Sequence, residues 1–138
     1  KNICILHCVS LYPLDHQIAN LKNIIMLKKM FKNIPIGYSD HSIGSTLPIS
    51  SVALGACVIE KHFTLSRKDK GPDSDFSIEP KELERLCSDA KNTWAAIGDA
   101  DFKIMPSERG NLKFRRSLYF VKDIKKGEIN PLFLFLIN

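Results

Sequence analysis

The chain has 138 residues, 44% of them hydrophobic and 25% charged, the balance of a globular protein with enough length for one ordinary domain and a real core. Lys and Arg outnumber Asp and Glu by 20 to 15, for a net charge of +5. The two signs are interleaved rather than gathered in one stripe, so the expectation is a solvated surface with a pocket for an anionic small molecule and no nucleic-acid partner.

Residues 2–9, "NICILHCV", form a near-continuous apolar run, as expected of a strand covered on both faces. Segment 16–32 places Ile18, Leu21, Ile24, Ile25, Leu27 and Phe31 at helical spacing, which predicts a helix. "IPIGYS" at 34–39 reads as a second strand. "STLPISSVALGA" at 45–56 reads as a helix that tolerates Pro48 in its first turn. "CVIEKHF" at 57–63 is a third strand, and 66–76 a long polar loop. A further helix starts at "SIEP", with Leu83, Leu86, Cys87, Ala90, Trp94 and Ile97 as its apolar stripe and Gly98 as its stop.

Strand and helix alternate three times, which predicts an α/β fold on a parallel sheet, a (β/α) barrel or a doubly wound sheet. No Gly-rich phosphate loop follows the first strand, which weighs against nucleotide binding. Three units cannot close a barrel of eight, and the chain opens on Lys1 straight into a strand with no secretory leader. The expectation is a piece of a longer chain. From Asp99 the character changes. Residues 99–114 read as a linker, and "RRSLYFVKDIKKGEI" from 115 as a strand, a Lys-rich turn and the start of another strand, opening a small β-rich domain.

Cys4, Cys8, Cys57 and Cys87 show no metal-type pairing, and three of them lie in apolar runs. They are expected to be small buried hydrophobes in a reducing, cytoplasmic compartment. No apolar run is long enough to span a membrane, "PLFLFLI" at 131–137 included.

In parallel α/β folds the site forms where strands give way to loops at their carboxyl ends. Ser10 and Tyr12 follow the first strand, Ser39, Asp40 and His41 end the second, and Glu60, Lys61 and His62 end the third. Two readings of His41 and His62 stay open here. They are hydrogen-bonded histidines at the rim of a core, or two ligands of one divalent metal drawn from neighbouring strands. Their spacing matches no compact metal motif, though two histidines leave room for water and substrate oxygens on a catalytic ion. Ser10 and Ser39 are plain loop hydroxyls or phosphate-binding ones. Asp73, in "GPD", is a turn acid by default. Glu60 and Lys61 must face opposite sides of their strand, and the buried one needs a partner. His7 and His16 read as structural. Arg115 and Arg116 are a surface pair or an anion clamp.

Five ordered blocks, "LHCVSLYP" (6–13), "IPIGYSDHSIG" (34–44), "ALGACVIEKHFTL" (53–65), "GPDSDFSIEPKEL" (71–83) and "RRSLYFVKDIKKGE" (115–128), resemble the sialic acid synthase family, which condenses phosphoenolpyruvate with an N-acetylated amino sugar. The resemblance implies the C-terminal three β/α units of a (β/α)8 TIM barrel over 1–98, the linker 99–114, and the start of an antifreeze-like (SAF) domain over 115–138. It implies that His41 and His62 hold a divalent metal, manganese or magnesium, and act catalytically. It sets Ser10 and Ser39 near phosphoenolpyruvate, and Tyr12 and Asp73 near the amino sugar. Arg116 is the candidate for an arginine that reaches the N-acetyl group across a domain-swapped homodimer. The expected activity is synthesis of a nonulosonic acid from N-acetylmannosamine or a related amino sugar. The alternatives are a legionaminic or pseudaminic acid synthase and a truncated, non-catalytic remnant. The family's catalytic glutamate and phosphate-binding lysines belong to the five barrel strands that precede this segment. The ending "INPLFLFLIN" departs from an antifreeze-like domain.

Overall fold

The computed structural model of the chain describes residues 3–116, 119–120, 123, 125–127 and 135–136. The chain divides into two compact units, Lys1–Asp99 and Ala100–Asn138.

In the first unit, β1 (Ile5–Cys8), β2 (Ile36–Asp40) and β3 (Ile59–Lys61) pair parallel in that order. Parallel neighbours need crossover connections, and α1 (Lys22–Met30) and α2 (Thr46–Ala53) supply them, with α3 (Pro80–Ile97) following β3. His7 lies opposite Tyr38, Cys8 opposite Ser39, and Asp40 opposite Lys61. Side chains alternate along a strand, so Ile36, Tyr38 and Asp40 share one face of β2 while Gly37 and Ser39 share the other. Ile36 and Tyr38 join Ile24 of α1 and Leu47 of α2, with Leu14, Ala19 and Ala56, in the core. Full burial of a side chain such as Ile24 contributes about 1.5–3 kcal/mol. On the opposite face a Cβ at Gly37 would collide with Leu6 Cδ2 and come within 2.6 Å of the Val58 carbonyl oxygen. Only glycine fits beneath these neighbours.

Several sequence expectations change. The helix expected over 16–32 is two pieces: a 3-10 turn at His16–Ile18, where Asp15 Oδ1 accepts from Gln17 N at 2.9 Å, and then α1. Asn20 between them has φ 45°, a left-handed conformation that cannot sit inside a helix. β1 is not covered on both faces. In it only His7 is buried, because the core helices lie on one side of the sheet. The cysteines are not buried hydrophobes either, since all four are exposed. Cys4 and Cys57 precede β1 and β3, Cys8 lies on the same sheet face as Ser39 but toward the edge of the sheet, and Cys87 lies on α3.

α3 begins with a capping box. Glu79 is its N-cap, Pro80 opens its first turn, and Glu79 N donates to Glu82 Oε2 at 2.9 Å. It ends at Gly98, φ 56°. Of the expected apolar stripe only Leu86 is buried, and Trp94 is 73% exposed.

In the second unit a 3-10 helix spans Pro106–Phe114, inside the expected linker, and β4 (Tyr119–Phe120) pairs antiparallel with β5 (Phe135–Leu136). A turn falls at 126–127. The rest of the strands expected after residue 115, including most of "INPLFLFLIN", lies outside the described residues. Among the described residues no helix is long and apolar enough to cross a membrane.

Candidate functional site

Because β1, β2 and β3 run parallel, their carboxyl ends open on one edge of the sheet, and the loops leaving them bring four rings together. The Tyr12 ring lies 4.2 Å from His41 and 5.8 Å from His62, centroid to centroid, and the two histidine rings are 5.2 Å apart. Phe76 closes the cluster at 5.1 Å from His62 and 5.6 Å from Tyr12. His41 is buried and Tyr12 half exposed, so the cluster has a dry floor and a wet mouth.

The polar contacts of the two histidines bear on what each ring offers. His41 Nδ1 lies 3.0 Å from the Val9 carbonyl oxygen. A carbonyl only accepts, so Nδ1 carries the hydrogen and Nε2 keeps its lone pair in the neutral ring. The Cys8 thiol approaches the same nitrogen at 4.0 Å. His62 Nδ1 lies 3.4 Å from Asp73 Oδ2, an electrostatic contact rather than a hydrogen bond, which sets the carboxylate on the Nδ1 side of that ring. Metal-binding histidines are held in this way, with the outer nitrogen donating to a carbonyl or a carboxylate. Two imidazoles sharing one ion at about 2.1 Å per nitrogen have centroids about 5 Å apart, close to the spacing here. His41 and His62 therefore fit a divalent ion as two of its ligands. Among the described residues no His, Cys, Asp or Glu completes a group of three, so the remaining ligands would be water and substrate oxygens.

Behind the histidines lies a buried charge network. Asp40 is fully buried, and Lys61 Nζ donates to Asp40 Oδ2 and to the Ser42 carbonyl, each at 2.5 Å. Ser42 Oγ lies 2.8 and 3.0 Å from the two carboxylate oxygens, and Ser42 N donates to Oδ1 at 3.1 Å. Of the neighbours Glu60 and Lys61, Lys61 is thus the inward one and Asp40 its partner, while Glu60 is exposed. Among the described residues the Tyr38 hydroxyl, buried nearby, has no hydrogen-bond partner, and burial, reinforced by the Asp40 charge, pushes its ionisation well above the ordinary range.

The loop after β3 is tied down at its far end. Arg67 forks onto Glu82 at 2.7 and 2.9 Å, its backbone N donates to Glu79 Oε1 at 2.8 Å, and Nη1 donates to the Ser77 carbonyl at 3.1 Å. The Arg67 guanidinium holds the Glu82 carboxyl below the usual carboxylate range, and Glu82 in turn raises Arg67. Ile78 N donates to the His62 carbonyl at 2.8 Å, and Ser77 Oγ donates to the Asp73 carbonyl at 2.6 Å. These bonds set Phe76 and Asp73 against His62.

Of the residues singled out from sequence, Tyr12, His41, His62 and Asp73 come together. Ser39 is buried on β2 opposite Cys8. Ser10 is exposed, with its hydroxyl 4.0 Å from the Cys8 thiol. Arg115 and Arg116 are exposed and belong to the second unit. His7 is held within the core, its Nε2 donating to the Ala19 carbonyl at 2.8 Å. Sequence reasoning missed Phe76, the Asp73–His62 contact and the Asp40–Lys61 link. Only the last left a signal: an acid and a base each stand immediately before one of the histidines.

Comparison with known proteins agrees with this architecture. The chain is 48% identical over 130 residues to the N,N'-diacetyllegionaminic acid synthase of Campylobacter jejuni, an alignment covering 94% of the chain and 39% of that enzyme. It is 39% identical over 129 residues to the human N-acetylneuraminate-9-phosphate synthase, covering 93% of the chain and 36% of that enzyme. The crystal structure of an N-acetylneuraminic acid synthetase from Leptospira borgpetersenii, solved with citrate, superposes with a TM-score of 0.72 at 41% identity, over 81% of this chain and 39% of that one. The chain therefore spans well under half the length of the relatives it matches. The NeuB family model matches residues 1–102, and the chain belongs to the NeuB family.

Proposed function

We propose that the chain forms the last three β/α units of a (β/α)8 barrel and, from residue 115, the start of an antifreeze-like domain, with 99–114 as linker. In this reading it is part of a cytoplasmic synthase, a domain-swapped homodimer, that condenses phosphoenolpyruvate with N-acetylmannosamine or a related amino sugar. The observation that carries the reading is the convergence of Tyr12, His41, His62 and Asp73 at the carboxyl ends of three parallel strands, where barrel enzymes carry their chemistry.

The residues have distinct tasks. His41 and His62, each oriented through Nδ1, would hold a divalent ion, manganese or magnesium, through Nε2. Such an ion supplies Lewis-acid polarisation of the open-chain sugar's aldehyde oxygen. Ser39 and Ser10 offer hydroxyls to phosphoenolpyruvate. Tyr12, half exposed over both histidines, forms an apolar wall that orients the sugar, and the exposed oxygen of Asp73 can accept from a sugar hydroxyl. Arg116 of one protomer would reach the N-acetyl group in the other. In the reaction C3 of phosphoenolpyruvate bonds to C1 of the sugar, water adds at C2, and phosphate leaves by C–O cleavage.

A second reading concerns the acceptor. Legionaminic and pseudaminic acid synthases stand among the relatives beside the N-acetylneuraminate-9-phosphate synthases, and a legionaminic or pseudaminic type of product is the alternative. The test is to incubate the complete protein carrying this chain with phosphoenolpyruvate and a panel of N-acetylated amino sugars, and to follow phosphate release and product mass. His41→Ala and His62→Ala should each remove most activity without full rescue by excess manganese. Undiminished turnover in both variants would overturn the assignment.

A further inference from the structure

We infer that Asp40 and Lys61 are positioning residues: their buried bridge ties the end of β2 to the end of β3 and so sets the separation of His41 and His62. The inference rests on reading the two histidines as one site, and it concerns how this chain builds that site.

The argument starts from register. Asp40 and Lys61 are directly opposed on adjacent parallel strands, and each is the residue immediately before one of the histidines. Side chains alternate along an extended backbone, so the histidines project from the side of the strand ends opposite to the bridge. Fixing the two preceding residues therefore fixes the stems of both rings. The network is anchored on both sides of His41. Asp40 precedes it, Ser42 follows it, and Ser42 bonds to the Asp40 carboxylate through its backbone N and its hydroxyl while its carbonyl accepts from Lys61 Nζ. His41 is thus the middle residue of a closed turn whose two neighbours are both fully buried. The side chains of Lys61 and Asp40 are 4% and 0% exposed.

A buried ion pair is a poor device for stability, because desolvating both charges offsets most of their attraction, and well-packed apolar residues often do as well. Its distinctive property is directional. The ammonium must meet one carboxylate oxygen and one carbonyl at hydrogen-bond distance, which permits one strand-end geometry. The Val9 carbonyl and Asp73 turn the two rings, but their separation, 5.2 Å between centroids, is measured from backbone stems that the strand-end geometry sets.

The test uses the complete protein carrying the double substitution Asp40→Asn and Lys61→Met. Asparagine keeps an oxygen for Ser42, methionine keeps the stem, and no unpaired charge is left buried. Two readouts are taken. In metal-free protein with labelled histidine, NMR cross-peaks between the His41 and His62 ring protons report their proximity directly. Electron paramagnetic resonance of added Mn²⁺ reports affinity and ligand symmetry. The inference predicts loss or strong weakening of the inter-ring cross-peaks, a manganese dissociation constant raised at least about tenfold, and an altered manganese signal in a protein of unchanged circular dichroism. Wild-type cross-peaks in the folded double variant would overturn it.

If the double variant does not fold, Lys61→Arg decides, since it keeps the charge while changing the reach. Displaced cross-peaks support the inference, and unchanged ones refute it. His41→Ala and His62→Ala are the controls for the metal reading. If they leave manganese affinity untouched, the histidines are not metal ligands, and the cross-peaks alone then judge the bridge.

Discussion

Asp73 Oδ2 lies 3.4 Å from His62 Nδ1, in a pair whose histidine is 28% and whose carboxylate is 53% exposed. The contact gives Asp73 two tasks under the proposed function: one oxygen orients His62, and the other is free for a sugar hydroxyl. Asp73→Asn keeps the shape and removes the charge. The expected outcome is a loss of about 10- to 100-fold in manganese affinity or turnover, with a weaker amino-sugar response and little change in the Michaelis constant for phosphoenolpyruvate. Steady-state kinetics against each substrate in turn check this. Movement of the phosphoenolpyruvate constant alone would take Asp73 away from both the sugar and His62.

The parallel α/β arrangement was legible because β1, β2 and β3 are short apolar runs separated by helical periodicity. The start of α3 was legible because Glu79, Pro80 and Glu82 form a local signal. The interruption at Asn20 was not, since a left-handed asparagine looks like any other polar residue in a helical window. The exposure of the cysteines was hidden because an apolar run does not say which face of its strand is covered. In the site, the histidines stood out at strand ends. Their partners did not: the Val9 carbonyl has no side-chain signature, and Asp73 and Phe76 meet His62 through a loop tied down by Arg67, Ser77 and Ile78, far apart from His62 in the sequence pattern.

The Arg67–Glu82 fork carries a pH prediction. The folded state holds Glu82 below its ordinary value of 4.5, so the unfolded chain takes up the proton first as the solution is acidified. Its contribution is therefore complete above about that pH and is lost as pH falls through the lowered folded-state value. Glu82→Gln should be less stable than the wild type near neutrality, with the difference shrinking as pH falls below 4.5. Thermal melts of both proteins across that range measure it, and a difference that grows with acidity would contradict the pairing.

Lys61→Met alone leaves the Asp40 carboxylate buried without its counter-charge. Breaking one side of a buried pair costs about 3–5 kcal/mol, so this variant should melt much lower than the wild type. Asp40→Asn combined with Lys61→Met should recover most of the loss. Denaturant unfolding of the two variants compares them, and equal destabilisation would mean that the cost comes from packing and not from charge.

Among the described residues of the 138-residue chain β1 and β3 are the outer, unpaired edges of their sheet, and Leu65, Trp94 and Phe63 are exposed at 76%, 73% and 49%. Unpaired edges and apolar patches of this kind promote association. Light scattering and size-exclusion chromatography should find self-association. A monodisperse sample with a sharp cooperative melt would show that the isolated chain satisfies its own surfaces.

The most direct test of the account is a product assay by mass spectrometry. The complete protein carrying this chain is supplied with phosphoenolpyruvate, manganese and N-acetylated amino sugars, alongside its His41→Ala and His62→Ala forms. The account predicts one equivalent of phosphate released for each sugar acid formed, with the sugar lengthened by the three carbons of phosphoenolpyruvate, and loss of most of both in either variant. Phosphate release without a lengthened sugar, or full product formation in both variants, would contradict it.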